Sequence, residues 1–449
     1  MTSVALTSRP ALRSAGRFVV SWKFWLPTLL VLLAVIIPDF EVINVLQATG
    51  IAEESDLLAT MATENSLREY LFLLNLLALG SVGALLFLFG GDSHAKRGSF
   101  QLWMMMALVA LGISSLAWST DVDLTFRRLV ITVLFIAGCW GMGKTWCPMD
   151  LVHMVLLLSA IFALTGIAAE IVYGTFLSPF NYRFSGFLHP NRQALSCGLF
   201  VLAALTMKTR TGNWFYWLVA GLAYFMLVLT GSRGGVLACA VAAIFYFLMA
   251  TPPSWRIAWF SLAGIFLGGT LLFVSLDPTS GDWLETIAKL GRSDPQADPK
   301  SLTGRLPIWN QIVADIIERP TLGYGYAAYW SAERVLRMSY IHDWEFSNAH
   351  SSYLEMLLAL GMVGFMLCLL TVAAVFGRGM RLYARTQDLG LLFILSVFVM
   401  AMVSGLVESI FVSVGYEYIA WMTGAFLIVY YPTRPAGAGR LEQTGWPGN

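Results

Sequence analysis

The sequence predicts an all-α, polytopic integral membrane protein, and two observations predict this class: the composition and the hydropathy pattern. Of the 449 residues, 57% are hydrophobic and only 12% are charged, whereas soluble domains carry about 25% charged residues. Long apolar runs recur along the chain between short polar segments. The formal net charge of +1 argues against a nucleic-acid partner, so the lipid bilayer is the partner that the composition predicts.

About 12 segments are predicted to cross the membrane, because a span needs roughly 20 mainly apolar residues. They lie near residues 22–39, 70–91, 100–118, 128–146, 151–173, 193–207, 213–231, 235–250, 255–275, 352–376, 389–407 and 416–431. The chain is thereby divided into a membrane region with nine predicted helices (1–275), a long loop (276–350), and a membrane region with three predicted helices and a tail (351–449).

Lysine and arginine residues concentrate in the segments that share a side with the N-terminus. Cytoplasmic loops of membrane proteins carry such an excess of positive charge, so both termini are predicted to be cytoplasmic. The long loop between the ninth and tenth predicted helices then lies on the outer face. The short loops before the sixth and eighth predicted helices lie on the same face.

The stretch TGSRGG (230–235) joins two apolar segments on this outer face. Its arginine, Arg233, is not required by the orientation and has little room to reach bulk water. Ionisable residues in such places usually mark a functional site. The flanking glycines leave backbone N–H groups open to an anionic ligand where the next helix begins. A tight turn whose arginine reaches the lipid headgroups is the alternative.

The outer segment NYRFSGFLHPNRQAL (181–195) brings Arg183, His189, Asn191 and Arg192 close together in sequence. These side chains suit an anion or sugar site, although a polar loop stabilised by its turn residues explains the same pattern.

The long loop contains an amphipathic segment and a glycine–aromatic turn. LTGRLPIWNQIVADIIERP (302–320) has apolar residues at helical spacing, with Arg305 at its N-terminal edge. It is predicted to form a helix that lies along the membrane surface or covers the helical bundle. GYGYAAYW (323–330) follows. Tyr324 and Tyr326 are candidates for stacking on sugar rings, and an interfacial aromatic belt explains them equally well.

The long loop closes with NAHSSYLEMLLALGMVG (348–364), which places His350 where the tenth predicted helix begins and Glu355 about a turn and a half into it. A histidine titrates near neutral pH and can act as a general base. In the alternative interpretation, Asn348 or Ser351 caps the helix and His350 is incidental.

Several enzyme classes are disfavoured by motifs that the sequence lacks. It has no HExxH and no GxSxG pattern, which argues against a zincin-type metal site and a serine hydrolase. The letters GCWGMGKT (138–145) fit GxxxxGK[ST], but they lie inside a predicted span, so no ATP-binding loop is predicted. The five cysteines form no CxxC pair. A transporter stays open, although Glu170 is almost the only charge deep in a predicted span.

Four motifs in this order resemble the O-antigen ligase and O-antigen polymerase superfamily of membrane glycosyltransferases. The motifs are SGFLHPN, LTGSRGG, LTGRLPIWNQIV with the following RPTLGYGY, and NAHSSYLEMLLALGMVG. The resemblance covers about residues 180 to 375. One departure is HPNRQAL, because relatives usually have a small residue soon after Asn191.

The resemblance implies a metal-independent, cofactor-free glycosyltransferase of the bacterial inner membrane. Its active site faces the periplasm, and its donor is a glycan linked to undecaprenyl pyrophosphate. By this resemblance, Arg233 and Arg305 hold the donor's pyrophosphate, and His350 is the catalytic base for the acceptor sugar hydroxyl. Further candidates for substrate binding are Arg183, His189, Asn191, Arg192, Tyr324, Tyr326 and Glu355.

The superfamily contains polymerases, whose acceptor is another lipid-linked repeat, and ligases, whose acceptor is lipid A–core. We favour an inverting polymerase of exopolysaccharide or O-antigen repeats, with an O-antigen ligase as the alternative and a chain-length regulator as a candidate protein partner. The hypothesis from another class is a polysaccharide exporter or flippase, in which the outer arginines line a translocation path and His350 is dispensable.

Overall fold

The computed structural model describes residues 21–39, 54–90, 99–177, 182–186, 188–252, 305–342, 348–411 and 415–432. Within these ranges every regular element is helical, in agreement with the predicted class. The α-helices are α1 (Trp22–Asp39), α2 (Glu54–Phe89), α3 (Phe100–Ser114), α4 (Val122–Thr145), α5 (Pro148–Val172), α6 (Pro190–Thr211), α7 (Phe215–Leu229), α8 (Arg233–Ala250), α9 (Arg305–Glu318), α10 (Ala332–His342), α11 (Ser352–Thr386), α12 (Leu389–Ser404) and α13 (Tyr416–Tyr430).

Five helical segments in the described residues are long and apolar enough to cross a membrane. They are Arg68–Phe89, Phe100–Ala117, Pro148–Val172, Arg233–Ala250 and Ser352–Thr386. Shorter apolar helices occur at Trp22–Ile37, Phe215–Leu229 and Leu389–Ser404. A multi-pass helical membrane protein is therefore confirmed, whereas the count of about 12 spans stays a prediction. The ninth predicted span (255–275) and the first part of the long loop (276–304) lie outside the described residues.

The other predicted spans each overlap a described helix but often begin too late, and two of them end too early. The helix predicted at 128–146 begins at Val122, because Asp121 caps it by accepting a hydrogen bond from the Leu124 backbone N–H at 2.9 Å. The helix predicted at 352–376 continues to Thr386. Hydropathy alone underestimates helix length because polar residues are common in first and last turns.

The amphipathic segment of the long loop packs against the start of α11, so it covers the helical bundle as predicted. Ile308 and Ile312 on α9 are buried, and Trp309 Nε1 donates to the Ala349 carbonyl at 2.8 Å. The helix α10 was not predicted, since its apolar residues do not form a long run. The glycine–aromatic segment between α9 and α10 forms the predicted turns.

A break within α11 fixes the position of this segment. Gly361 has φ 62° and ψ −163°, which interrupts the helix and leaves the carbonyls of Leu358 and Ala359 free. These carbonyls accept from Tyr324 N at 2.8 Å and Gly325 N at 3.1 Å. A Cβ on Gly361 would lie 2.3 Å from the Thr321 carbonyl, so only glycine fits this close contact.

Candidate functional site

The loop after α12 carries Glu408, an acidic residue that joins three of the predicted motifs. Asn191 Nδ2 donates to Glu408 Oε1 at 2.8 Å, and Arg305 Nη2 donates to the same oxygen at 3.0 Å. His350 Nδ1 lies 3.9 Å from Glu408 Oε2. These residues come from the starts of α6 and α9 and from the segment before α11. The structure therefore brings together motifs that are far apart in sequence.

We call five residues the polar cluster: Arg183, Asn191, Arg305, His350 and Glu408. The cluster is largely shielded from solvent. The side chains of Arg305, Glu408 and His350 are 13%, 17% and 18% exposed. Burial alone raises the pKa of Glu408, but the nearby His350 and the charge of Arg305 outweigh burial and lower that pKa below its ordinary value. Glu408 is therefore ionised at neutral pH and pairs with a guanidinium in a poorly hydrated place.

Arg183 links the polar cluster to the TGSRGG segment. Its Nη2 donates to Asn191 Oδ1 at 3.0 Å, and its Nε donates to the Thr230 carbonyl at 3.0 Å. Gly231 has φ +62°, and a Cβ built on it would lie 3.4 Å from Arg183 Nε. A glycine therefore suits both the left-handed backbone and the close approach of the guanidinium.

Arg233 is the first residue of α8, next to the polar cluster. Ser232 caps this helix by accepting a hydrogen bond from Gly235 N. A Cβ on Gly234 would lie 2.6 Å from Val407 Cγ2, so the helix start packs against the residue that precedes Glu408. Gly234 and Gly235 lie in the first turn of this helix as predicted, although the helix begins at Arg233, two residues before the predicted span. The first turn of α8 therefore provides a positive dipole end beside the guanidinium.

His350 is held by backbone and side-chain contacts before α11. It has a left-handed backbone (φ 47°), and its N–H donates to Asn348 Oδ1 at 2.9 Å. The Ala349 N–H donates to Glu355 Oε1, and Trp330 Nε1 donates to both Glu355 carboxylate oxygens at 3.0 Å. Glu355 lies in the first turn of α11, closer to the helix start than predicted, and is buried. It supports the backbone that carries His350.

Ser352 fixes the loop that carries Glu408. Its N–H donates to the Glu408 carbonyl at 3.0 Å, and its Oγ donates to the same carbonyl at 2.7 Å. Its Oγ also accepts from Ile410 N at 2.8 Å. Sequence reasoning missed both Ser352 and Glu408. The motif NAHSSYLE therefore supplies the histidine and also the contacts that place its acidic neighbour.

His189 and Arg192 lie at the edge of this arrangement. His189 is exposed and caps α6, its Nδ1 accepting from Asn191 N at 3.3 Å. Arg192 lies against the start of α13, with Nη2 3.1 Å from the position that a Cβ on Gly415 would occupy. Their predicted role in substrate binding stays a prediction.

Tyr324 and Tyr326 are buried and occupied by protein contacts. Tyr324 has the guanidiniums of Arg319 and Arg334 at 5.1 Å and 5.0 Å from its ring centre. Tyr326 shares a hydrogen bond with Thr132 Oγ1 at 3.0 Å. It lines an apolar cavity of about 100 Å³ between α3, α4, α11 and α13. The structure thus places both rings in packed surroundings, and their predicted stacking on sugars stays a prediction.

In the part of the chain that the structure describes, no group of three His, Cys, Asp or Glu residues is arranged to hold a metal ion. Independence from metal is a prediction that requires an experiment with a chelator.

Comparisons with known proteins show what part of this chain is similar to. A family model described as O-antigen ligase matches residues 218–369. The General O-oligosaccharyltransferase of Acinetobacter baylyi is 24% identical over 291 residues, which are 56% of this chain and 48% of that protein. The exopolysaccharide production protein ExoQ of Rhizobium meliloti is 32% identical over 94 residues, which are 20% of this chain and 22% of that protein.

The matches to these two relatives thus span about half and about a fifth of their lengths. The region that matches the family model contains Arg233, Arg305 and His350. Residues 218–369, about a third of the chain, are therefore similar to the O-antigen ligase family, and the two relatives agree with this similarity.

Proposed function

We propose that this membrane protein is a glycosyltransferase that takes a glycan from undecaprenyl pyrophosphate and transfers it to a sugar hydroxyl on the periplasmic face of the inner membrane. The family match and the names of the relatives support glycan transfer in general. The observation that carries the specific proposal is the polar cluster, where a carboxylate draws a histidine and a guanidinium together beside the start of α8.

The arginines serve the leaving group in this proposal. Arg233 and the first turn of α8 bind one part of the donor's pyrophosphate, and Arg305 binds another. A guanidinium recognises phosphate oxygens through two parallel hydrogen bonds. As the bond between the anomeric carbon and the pyrophosphate oxygen breaks, these fixed positive charges stabilise the charge that develops on the pyrophosphate. One glutamate beside several arginines leaves the site with a net positive charge.

His350 serves the acceptor. Its Nδ1 faces Glu408, so its Nε2 is the atom available to remove the proton of the acceptor hydroxyl. The carboxylate orients the ring and stabilises the imidazolium that forms. The acceptor oxygen then bonds to the anomeric carbon, and undecaprenyl pyrophosphate leaves. A single displacement inverts the configuration of that carbon.

The acceptor distinguishes two versions of this function. The match to an exopolysaccharide production protein favours polymerisation, in which the acceptor is a second lipid-linked repeat. The longer match to an O-oligosaccharyltransferase favours the second candidate, a ligase-type transfer in which the acceptor is not another lipid-linked repeat. A ladder of products from lipid-linked repeats alone supports the polymerase. Transfer that occurs only after lipid A–core is added supports the ligase.

The Glu408→Gln variant tests the partner of His350. Glutamine keeps an oxygen that accepts hydrogen bonds from Asn191 and Arg305 but loses the charge that orients the histidine. We expect transfer to slow by about 10²-fold, at the lower end of the range for general-base assistance, with unchanged expression. Glu333 is an exposed glutamate on α10. Glu333→Gln is therefore the matched control and should leave the transfer rate unchanged. Equal rates for both variants would remove Glu408 from the mechanism.

Reporter fusions test the orientation. A reporter placed after Ser280 or Lys300 should behave as periplasmic, and one placed after Arg385 or Arg440 as cytoplasmic, because basic residues favour the inner side. A cytoplasmic signal from the 276–350 loop would put the polar cluster on the wrong side of the membrane for a periplasmic donor.

A further inference from the structure

Glu170 is a buried carboxylate that the proposed reaction does not use. It lies near the end of α5 and is only 5% exposed. Burying a carboxylate costs folding free energy unless its oxygens are hydrogen-bonded. The hydrogen-bond partners of Glu170 therefore indicate its role. All three described side-chain partners belong to residues 182–186, the segment that contains Arg183.

The contacts of Glu170 clamp this segment at two points. Tyr182 Oη donates to Glu170 Oε2 at 2.6 Å. The backbone N–H groups of Ser185 and Gly186 donate to Oε1 at 2.9 Å and 3.0 Å. Burial and the hydrogen bond to Glu170 both raise the pKa of the Tyr182 phenol, so it remains a donor at any physiological pH. The carboxylate thus holds both sides of Arg183.

The segment also has a close contact with α5 that leaves no room for adjustment. A Cβ on Gly186 would lie 2.5 Å from the Gly166 Cα, and Gly186 has φ +59°. Phe184 is buried, and its N–H donates to the Leu229 carbonyl at 2.9 Å. Arg183 is therefore presented from a fixed backbone to Thr230 and Asn191.

We infer that Glu170 is a positioning residue: its carboxylate fixes the 182–186 segment, which in turn fixes, through Arg183, the two motifs that carry Asn191 and Arg233. The inference rests on the proposed function, because it treats these motifs as the donor side of the transfer site. His350 is held by separate contacts with Asn348 and the start of α11. Loss of Glu170 should therefore disturb donor binding more than the proton-transfer step.

The first measurement is hydrogen–deuterium exchange of a peptide that contains residues 182–186. In Glu170→Ala, exchange of the Ser185 and Gly186 amides should become about 10-fold to 100-fold faster, because each loses a hydrogen bond to a charged acceptor. Glu170→Gln should keep the protection, since one amide oxygen can accept from both N–H groups while its NH₂ donates to Tyr182. Unchanged exchange in Glu170→Ala would overturn the inference without requiring any transfer assay.

The second measurement is the rate of transfer at varied donor concentration. We expect Glu170→Ala to raise KM for the lipid-linked donor about 10-fold and to lower kcat by a smaller factor, because the displaced motifs both bind the pyrophosphate and stabilise its developing charge. Glu170→Gln should restore the parent KM. Thr165→Val is the matched control in α5, because Thr165 Oγ1 donates to the Ile161 carbonyl of its own helix at 2.7 Å. Its KM should equal that of the parent.

The outcomes separate the inference from the proposed function. If the Glu170→Ala donor KM equals that of the parent, or if Thr165→Val raises KM as much, Glu170 is not a positioning residue and the proposed function stands. If the parent transfers no glycan, the proposed function fails, while the exchange result still decides whether Glu170 fixes the segment. If Glu170→Ala does not fold, Tyr182→Phe removes one of the three bonds, and the same changes should appear with smaller size.

Discussion

Replacing His350 with alanine should slow glycan transfer by about 10²-fold to 10⁴-fold, the usual contribution of a general base. The histidine faces Glu408 with one ring nitrogen and leaves the other for the acceptor hydroxyl. The donor should still bind, because Arg233 and Arg305 remain in place. The measurements are the transfer rate with purified protein and, separately, binding of the lipid-linked donor.

His342→Ala is the control for this result. His342 ends α10 and has no role in the proposed reaction, so its variant should transfer at the parent rate. If His350→Ala turns over like the parent, His350 is not the base, and the acceptor hydroxyl is activated by another group.

Replacing Arg233 with alanine should reduce transfer by about 10²-fold to 10³-fold, the cost of removing one group that stabilises developing charge. Arg233→Lys keeps the charge but loses the paired donors of the guanidinium, so it should retain only part of the activity. The rates are compared at equal amounts of membrane-inserted protein. Full activity in Arg233→Ala at normal expression would remove this arginine from the mechanism.

Arg337→Ala provides a matched control, since Arg337 is an exposed arginine on α10. It should leave the transfer rate unchanged. Equal losses in Arg233→Ala and Arg337→Ala would indicate a general effect of surface charge rather than recognition of the donor at α8.

The helices could be predicted from the sequence because hydropathy reports directly on burial in lipid or in a helical bundle. Several helix starts could not be predicted from hydropathy. The helix α8 begins at Arg233, two residues before the predicted span, and α4 and α6 also begin early, because polar first turns lower the hydropathy of a helix end. Capping residues such as Asp121 provide that signal instead.

The centre of the polar cluster could not be predicted from the sequence. Glu408 follows an apolar helix and looks like an ordinary loop residue. Its bond to Asn191 joins residues 217 positions apart, and only the packing of α6 against α12 brings them together. The only local signal was that Glu408 is a single acidic residue in an otherwise apolar region. Glu170 has the same feature.

The packed surroundings of Tyr324 and Tyr326 could not be predicted from the sequence. Tyr324 and Tyr326 have the spacing of a sugar-stacking surface, but the break in α11 at Gly361 leaves carbonyls of Leu358 and Ala359 that bind the backbone of Tyr324 and Gly325. Arg319 and Arg334 then cover the ring of Tyr324. The backbone conformation of Gly361, which the sequence does not reveal, therefore helps to place the ring of Tyr324.

The most direct test of glycan transfer by the polar cluster uses purified protein, a glycan linked to undecaprenyl pyrophosphate as the donor, and EDTA in the buffer. The parent should release undecaprenyl pyrophosphate in step with the formation of a longer glycan whose new linkage has the inverted configuration, and EDTA should not change the rate. The account is contradicted if EDTA abolishes the reaction, or if the lipid-linked glycan crosses a reconstituted membrane without cleavage of its bond to pyrophosphate.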